Sequence, residues 1–260
     1  MLPLDQLRIP IWREGLVTLE RAALTNHAVW RGDGVPRGHG EPVLLIPGFL
    51  AGDGSLGLMA QWLKRIGYQP CRAGIRVNAD CTARSVERLE GQLEELVRRH
   101  DRRATAIGQS RGGTMARILA VRRPDLVDRI VCLGSPLVDQ FAVHPFVRLQ
   151  VNAVALLGSM GLQGVFSHGC REGCCAQANA DLSGRFPDDV KFTSIYSRSD
   201  GIIDWRACLD PGARHVEVRS THVGMSVNAA VFTVVADALA TPPAGGETGP
   251  EPGLPEAQAA

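Results

Sequence analysis

Two hydrophobic rhythms alternate along the chain. Val43-Leu44-Leu45-Ile46 is apolar without a break and stops at Pro47-Gly48, the pattern of a strand buried on both faces. Ala104 to Gly108 and Leu126 to Leu133 read the same way. Tyr68 to Ile75, Lys191 to Tyr196 and Val216 to Val218 are three more strand candidates. Between them the apolar positions repeat at helical spacing. Val86, Leu89, Leu93, Leu96 and Val97 share one face of a helix predicted over 82–99. Further helices are predicted over 111–122, closed by Pro124, and over 228–239. Met59, Trp62, Leu63 and Ile66 lie on one that Ser55 would cap and Gly67 would stop. Near the start, Leu16, Leu19, Ala23, Leu24 and Ala28 predict an amphipathic helix within 13–30.

Strands alternating with helices predict an α/β fold: a mostly parallel, doubly wound sheet covered on both faces, with its chemistry at the carboxyl ends of the strands. The expected organisation is an N-terminal helix and loop over 1–40 and the sheet domain over 41–240. A tail over 241–260 is too broken by Pro and Gly to fold. One stretch departs from the rhythm. From about 137 to 190 no strand is evident, and Phe141 to Leu162 is apolar almost throughout. So long an insertion after a strand end reads as a helical cap over a site. Its surplus apolar surface suits an acyl chain, with Leu50, Phe146 and Leu149 as the expected substrate contacts. Holding the cap to the sheet is the alternative use.

Composition acts mainly by exclusion. The 28 basic and 27 acidic side chains leave a formal net charge of +1, without the basic stripe of a nucleic-acid binder. The pairs Arg98-Arg99, Arg102-Arg103 and Arg122-Arg123 fall at expected helix ends, where cations favour the dipole. No stretch reaches the roughly 18 apolar residues of a membrane-spanning helix. The first residues lack the apolar core of a secretory leader, which points to the cytoplasm. An odd cysteine count, in a chain with a full-sized core, does not read as a disulfide scaffold. None of these features speaks to the oligomeric state.

The candidate chemistry centres on Gly108-Gln109-Ser110-Arg111-Gly112, a G-x-S-x-G between a predicted strand and a predicted helix. A serine there sits on a sharp turn with its hydroxyl projecting, and the flanking glycines remove side chains that would collide. Serine at its own pKa is a poor nucleophile and needs a base. His222, in the loop between the last strand and the last helix, is the candidate; His27, His39 and His100 precede the serine, and His144 and His168 lie in the cap. The base needs a carboxylate to orient it. Asp200 follows the strand ending at Tyr196, while Asp204 is its competitor and the better cap for a short helix through Trp205. The oxyanion of an acyl-transfer transition state needs backbone donors. Arg111 N–H is one, and Phe49 N–H the expected second, with Leu50 as the alternative.

Together Pro47-Gly-Phe, Gly-Gln-Ser-Arg-Gly-Gly, Tyr-Ser-Arg-Ser-Asp-Gly-Ile-Ile-Asp-Trp and Thr-His-Val-Gly-Met resemble the α/β-hydrolase superfamily in its bacterial esterase and lipase branch, over roughly residues 41–240. The resemblance implies a Ser110/Asp200/His222 hydrolase of carboxylic esters or lipids, with no metal or organic cofactor. Acyl transfer and thioester cleavage use the same acyl-enzyme. Many members have His-Gly where this chain has Pro47-Gly48.

Other readings compete. Gly52-Asp53-Gly54-Ser55-Leu56-Gly57 is a literal G-x-G-x-x-G with Asp80 downstream, the mark of a nucleotide-binding oxidoreductase, but five residues separate it from the strand end. His168, Cys170, Cys174 and Cys175 suggest zinc, although their spacing matches no closed four-ligand site, a disulfide within the cap or to Cys208, or reduced cysteines that only pack. A non-catalytic binder on the same fold would be expected to lose one member of the triad.

Overall fold

The computed structural model describes residues 10–170 and 172–241. Six strands form one sheet: β1 (Pro42–Ile46), β2 (Gln69–Arg72), β3 (Ala104–Gln109), β4 (Val127–Leu133), β5 (Lys191–Tyr196) and β6 (Arg214–Glu217). Their order is β2-β1-β3-β4-β5-β6, and every pairing is parallel. The helices are α1 (Val17–Asn26), α2 (Ala28–Arg31), α3 (Gly57–Arg65), α4 (Thr82–His100), α5 (Arg111–Arg122), α6 (Pro145–Ser159), α7 (Ala176–Ser183) and α8 (Ala229–Ala240).

The unbroken apolar run of β1 has the predicted cause. Val43 and Leu45 enter a core with Met59, Trp62 and Phe232 of α3 and α8, while Leu44 and Ile46 enter a second core with Leu89, Leu93 and Leu119 of α4 and α5. Each face of the sheet thus buries its own layer of helices. In the first core the Trp62 indole, fully buried, packs 4.7 Å from the Phe232 ring and donates to the Val29 carbonyl at 2.7 Å, so its one polar group is satisfied. The basic pairs at helix ends are matched by acids: Arg99 with Glu95, Arg103 with Asp189, Arg122 with Asp181.

Four sequence expectations shift. Residues 13–30 do not form one helix: a 3-10 segment at Ile11–Leu16 leads into α1, and the chain breaks at His27, whose Nδ1 accepts the Val29 N–H at 3.1 Å. Its inward face is also different, because Leu16 and Leu19 are exposed while Glu14, Val17, Glu20 and Leu24 turn inward. Ser55 does not cap α3, which starts after a 3-10 turn at Asp53–Leu56. The edge strands β2 and β6 cover 69–72 and 214–217 rather than 68–75 and 216–218. Apart from Thr241, the expected tail lies outside the described residues.

Between β4 and β5 the inserted stretch divides in two. Ala178 and Leu182 of α7 join the core against α4 and α5. The part before it, α6 and the following loop, rises over the carboxyl ends of the strands. It is stitched to the loop after β5 by His144 N–H to the Ile202 carbonyl at 2.7 Å and Asp204 N–H to the Ala142 carbonyl at 2.8 Å. No helix among the described residues is long and apolar enough to cross a membrane.

Candidate active site

The sheet order fixes where a site can form. The chain leaves β1 for β2 on one side and comes back to β3 on the other, so the loops after β1 and β3 diverge and open a crevice. Ser110 stands there, at the end of β3. Its φ of 52° and ψ of −123° place a residue with a Cβ in backbone territory that favours glycine. The turn is held by Ser110 N–H on the Leu133 carbonyl at 2.8 Å and by Gly113 N–H on the Ser110 carbonyl at 2.9 Å. Its glycines leave no room for a side chain without a shift of their neighbours. A Cβ on Gly112 would overlap the Ile46 carbonyl oxygen and stand 2.7 Å from that of Pro47, and one on Gly113 would overlap the Ser135 hydroxyl.

His222 and Asp200 are a buried pair, with Nδ1 2.7 Å from Oδ2. The second oxygen of Asp200 accepts Ile202 N–H at 2.8 Å and Ile203 N–H at 2.7 Å, so the carboxylate is fixed at both ends. Asp204 instead caps the 3-10 turn at Trp205–Cys208, accepting Arg206 N–H at 3.0 Å. Burial alone would push the His222 imidazole down. The charge and hydrogen bond of Asp200, with a further push from Glu14, outweigh it and raise the pKa above the ordinary 6.5. Gly134, with φ of 54°, makes room for the pair: a Cβ there would lie 3.1 Å from both Asp200 Oδ2 and His222 Nδ1.

Ser110 and His222 line one cavity of about 840 Å³, in the size range of small-molecule sites. The Gln109 side chain ties the two loops, donating to the His222 carbonyl at 3.1 Å. Phe49 and Leu50 also line the cavity. The Leu50 N–H is already given to the Asn78 carbonyl at 3.1 Å, whereas the Phe49 N–H has no acceptor among the described residues. Arg111 is the first residue of α5, where backbone N–H groups lack helical partners. Its guanidinium is engaged with the Asn78 carbonyl and Oδ1, both at 3.1 Å, and with the Asp80 carbonyl.

Two expected substrate contacts do not reach the cavity. Phe146 and Leu149 are 54% and 64% exposed, on the outer side of α6. Val147, Val151 and Ala155, four residues apart along the helix, face inward instead. A helix apolar on most sides gives no stripe from which to tell its inner face. The G-x-G-x-x-G also has a local explanation: a Cβ on Gly52 would overlap the Arg76 carbonyl oxygen, because the Asp53 N–H pairs with the neighbouring Ile75 carbonyl at 2.9 Å.

Glu14 was not visible to pattern reading. Its Oε1 accepts Gly201 N–H at 2.9 Å and His222 N–H at 2.8 Å, and its Oε2 accepts Val223 N–H at 2.8 Å. One carboxylate therefore spans the Asp200 and His222 loops. Glu20, two turns on, accepts Thr221 N–H at 2.8 Å. Spacing could have paired Glu14 and Glu20 with Val17 and Leu24 as one face, had an inward face been allowed to carry carboxylates.

No family model matches the chain, and no curated protein sequence does. Solved structures do. The metagenomic carboxyl esterase MGS0156 is similar at a TM-score of 0.60 and 14% identity, over 91% of this chain and 93% of that one. A structure reported for LipS and LipT, two metagenome-derived lipolytic enzymes, gives 0.57 at 15% identity over 79% and 94%. The mature Bacillus licheniformis lipase BlEst2 gives 0.55 at 15% over 80% and 96%. At such identities the likeness is one of architecture, and with the parallel sheet and its strained serine turn it identifies the chain as having the α/β-hydrolase fold.

Proposed function

We propose that the protein is a serine hydrolase that cleaves carboxylic esters with an apolar acyl group. The observation that carries this is a serine on a strained strand-to-helix turn sharing one cavity with a buried histidine–aspartate pair. Ser110 attacks the ester carbonyl while His222 Nε2 takes its proton, and Asp200 holds the ring and stabilises the imidazolium. The N–H groups of Arg111 and Phe49 bind the oxyanion. His222 then protonates the leaving alcohol, and water admitted to the site resolves the acyl-enzyme. Leu50, Val147, Val151 and Phe166 supply an apolar wall for the acyl chain. The test is kcat/KM for p-nitrophenyl esters from acetyl to palmitoyl, together with labelling by a fluorophosphonate. Rates are expected to climb with acyl length until the cavity is filled, and the label is expected on Ser110. Absence of both turnover and labelling would overturn the reading.

Glu14 acts here as a positioning residue. Because its charge helps to raise the His222 pKa, Glu14→Gln is expected to move the acid limb of kcat/KM to lower pH: a less basic imidazole loses its proton earlier as pH rises. It should also lower kcat about tenfold, the equivalent of one charge-assisted hydrogen bond at roughly 1.5 kcal/mol. An unmoved pH profile with reduced kcat would assign Glu14 a purely structural part.

A further inference from the structure

Four of the cysteines cluster beside the cavity, which two of them, Cys170 and Cys175, line. Cys81 Sγ lies 3.1 Å from that of Cys174 and 3.3 Å from that of Cys175, and the Cys174 and Cys175 sulfurs are 4.0 Å apart. The sulfurs of Cys81, Cys170 and Cys174 all fall within 4.8 Å of one another. Cys81 is more than ninety positions from Cys174 in sequence, so only the fold brings it here. Neither His168 nor Cys208 takes part. His168 Nδ1 is 3.2 Å from the Ser159 hydroxyl, and Cys208 is buried with Ala142, Val143 and Ile203.

We propose that Cys81, Cys170, Cys174 and Cys175 form a binding site for a thiophilic divalent cation of the Zn2+ kind. A tetrahedral thiolate site with Zn–S of about 2.3 Å spaces its sulfurs roughly 3.8 Å apart; the separations among Cys81, Cys174 and Cys175 bracket that value, and Cys170 lies within 4.8 Å of Cys81 and Cys174. A disulfide sets one pair at about 2.05 Å and would engage only one of the two sulfurs that Cys81 meets almost equally, whereas a metal takes both. The adjacency of Cys174 and Cys175 is no obstacle, since their sulfurs already span close to one tetrahedral edge. The surroundings suit anionic sulfur. Cys81 is the N-cap of α4, whose first-turn N–H groups lack helical partners. Cys170 Sγ accepts the Ser167 N–H at 3.3 Å, the kind of outer hydrogen bond that orients a metal ligand. Cys174 is exposed, which gives the ion a way in.

The cation would cross-link the start of α4 to the loop before α7. Cys170 and Cys175 line the cavity, and the Arg111 guanidinium bonds the Asp80 carbonyl and the Thr82 hydroxyl on either side of Cys81. The ion would thus brace one wall of the cavity rather than enter the reaction.

The test uses the whole chain, with Zn2+ as the probe. Protein purified with reductant, incubated with Zn2+ and desalted is expected to retain one zinc per polypeptide by emission spectrometry. Co2+ in its place should give tetrahedral d–d absorption and a sulfur-to-cobalt charge-transfer band. Cys81→Ser and Cys174→Ser should each lose the stoichiometric metal, while Cys71→Ser, outside the cluster, should keep it. Circular dichroism reports whether each variant folds, and Cys174, at the surface, keeps the test open if Cys81→Ser does not. Wild-type protein without retained metal overturns the proposal. So does Cys174→Ser with full metal, or a metal-free protein whose thiol count is two short. None of these readouts depends on ester hydrolysis.

Discussion

Ser110→Ala is expected to lower kcat for p-nitrophenyl ester hydrolysis by on the order of 10⁴- to 10⁶-fold, the range seen when the nucleophile of a serine triad is removed. The His222–Asp200 pair and the N–H groups of Arg111 and Phe49 are untouched by this change, so under the proposed mechanism whatever rate persists measures oxyanion and substrate binding alone. The change should leave the fold intact, because alanine meets the same backbone demand as serine at φ 52°. Glycine does not. Ser110→Gly should abolish turnover equally but raise stability by about 1 kcal/mol, since strain at a left-handed non-glycine position is of that order and glycine's looser unfolded chain offsets part of the gain. The pair of variants therefore separates two statements: that Ser110 is the nucleophile, and that the turn stores strain to present it. Activity retained in Ser110→Ala would refute the first, and thermal unfolding unchanged or lowered in Ser110→Gly would refute the second.

What could be read in the sequence was what is local. The G-x-S-x-G around Ser110 is a run of consecutive residues, although the contacts that crowd Gly112 and Gly113 come from β1 and from Ser135, and β1 shows its burial on both faces as an unbroken apolar run. That His222 and Asp200 would meet was legible because each follows a strand end, where a parallel sheet gathers its loops. Glu14 was not, because its partners are the N–H groups of residues nearly two hundred positions away and a carboxylate on an inward face contradicts the hydrophobic pattern. Leu16 and Leu19 drew the reading to the wrong side of that helix, and Phe146 and Leu149 did the same on α6. Cys81 escaped for a related reason. A lone cysteine at a helix start carries no pattern until the fold sets it beside Cys174 and Cys175.

Gly112→Ala is expected to destabilise the protein by about 3–5 kcal/mol, the range of the severest single core changes. The added methyl would overlap the Ile46 carbonyl oxygen and crowd those of neighbouring backbone atoms, and backbone at the end of a central strand cannot turn aside as a side chain can. For a chain of this size about 1 kcal/mol corresponds to roughly 2–4 °C in Tm, so a fall of about 10 °C is the expected scale. Gly91 supplies the contrast. It lies in α4, exposed, with open space where a Cβ would go. Gly91→Ala should therefore stabilise by about 0.5–1 kcal/mol through helix propensity. If α5 accommodates the methyl of Gly112→Ala by moving away from β1, Arg111 N–H moves with it and away from Phe49 N–H. Misplacement of a reacting group by about 1 Å can cost on the order of 100-fold in rate. Folded Gly112→Ala, assayed well below its Tm, should then lose kcat while binding substrate with little change in KM. Equal stability of the two alanine variants would mean that α5 does not need its close approach to β1, and an active Gly112→Ala would mean that the oxyanion donors lie elsewhere.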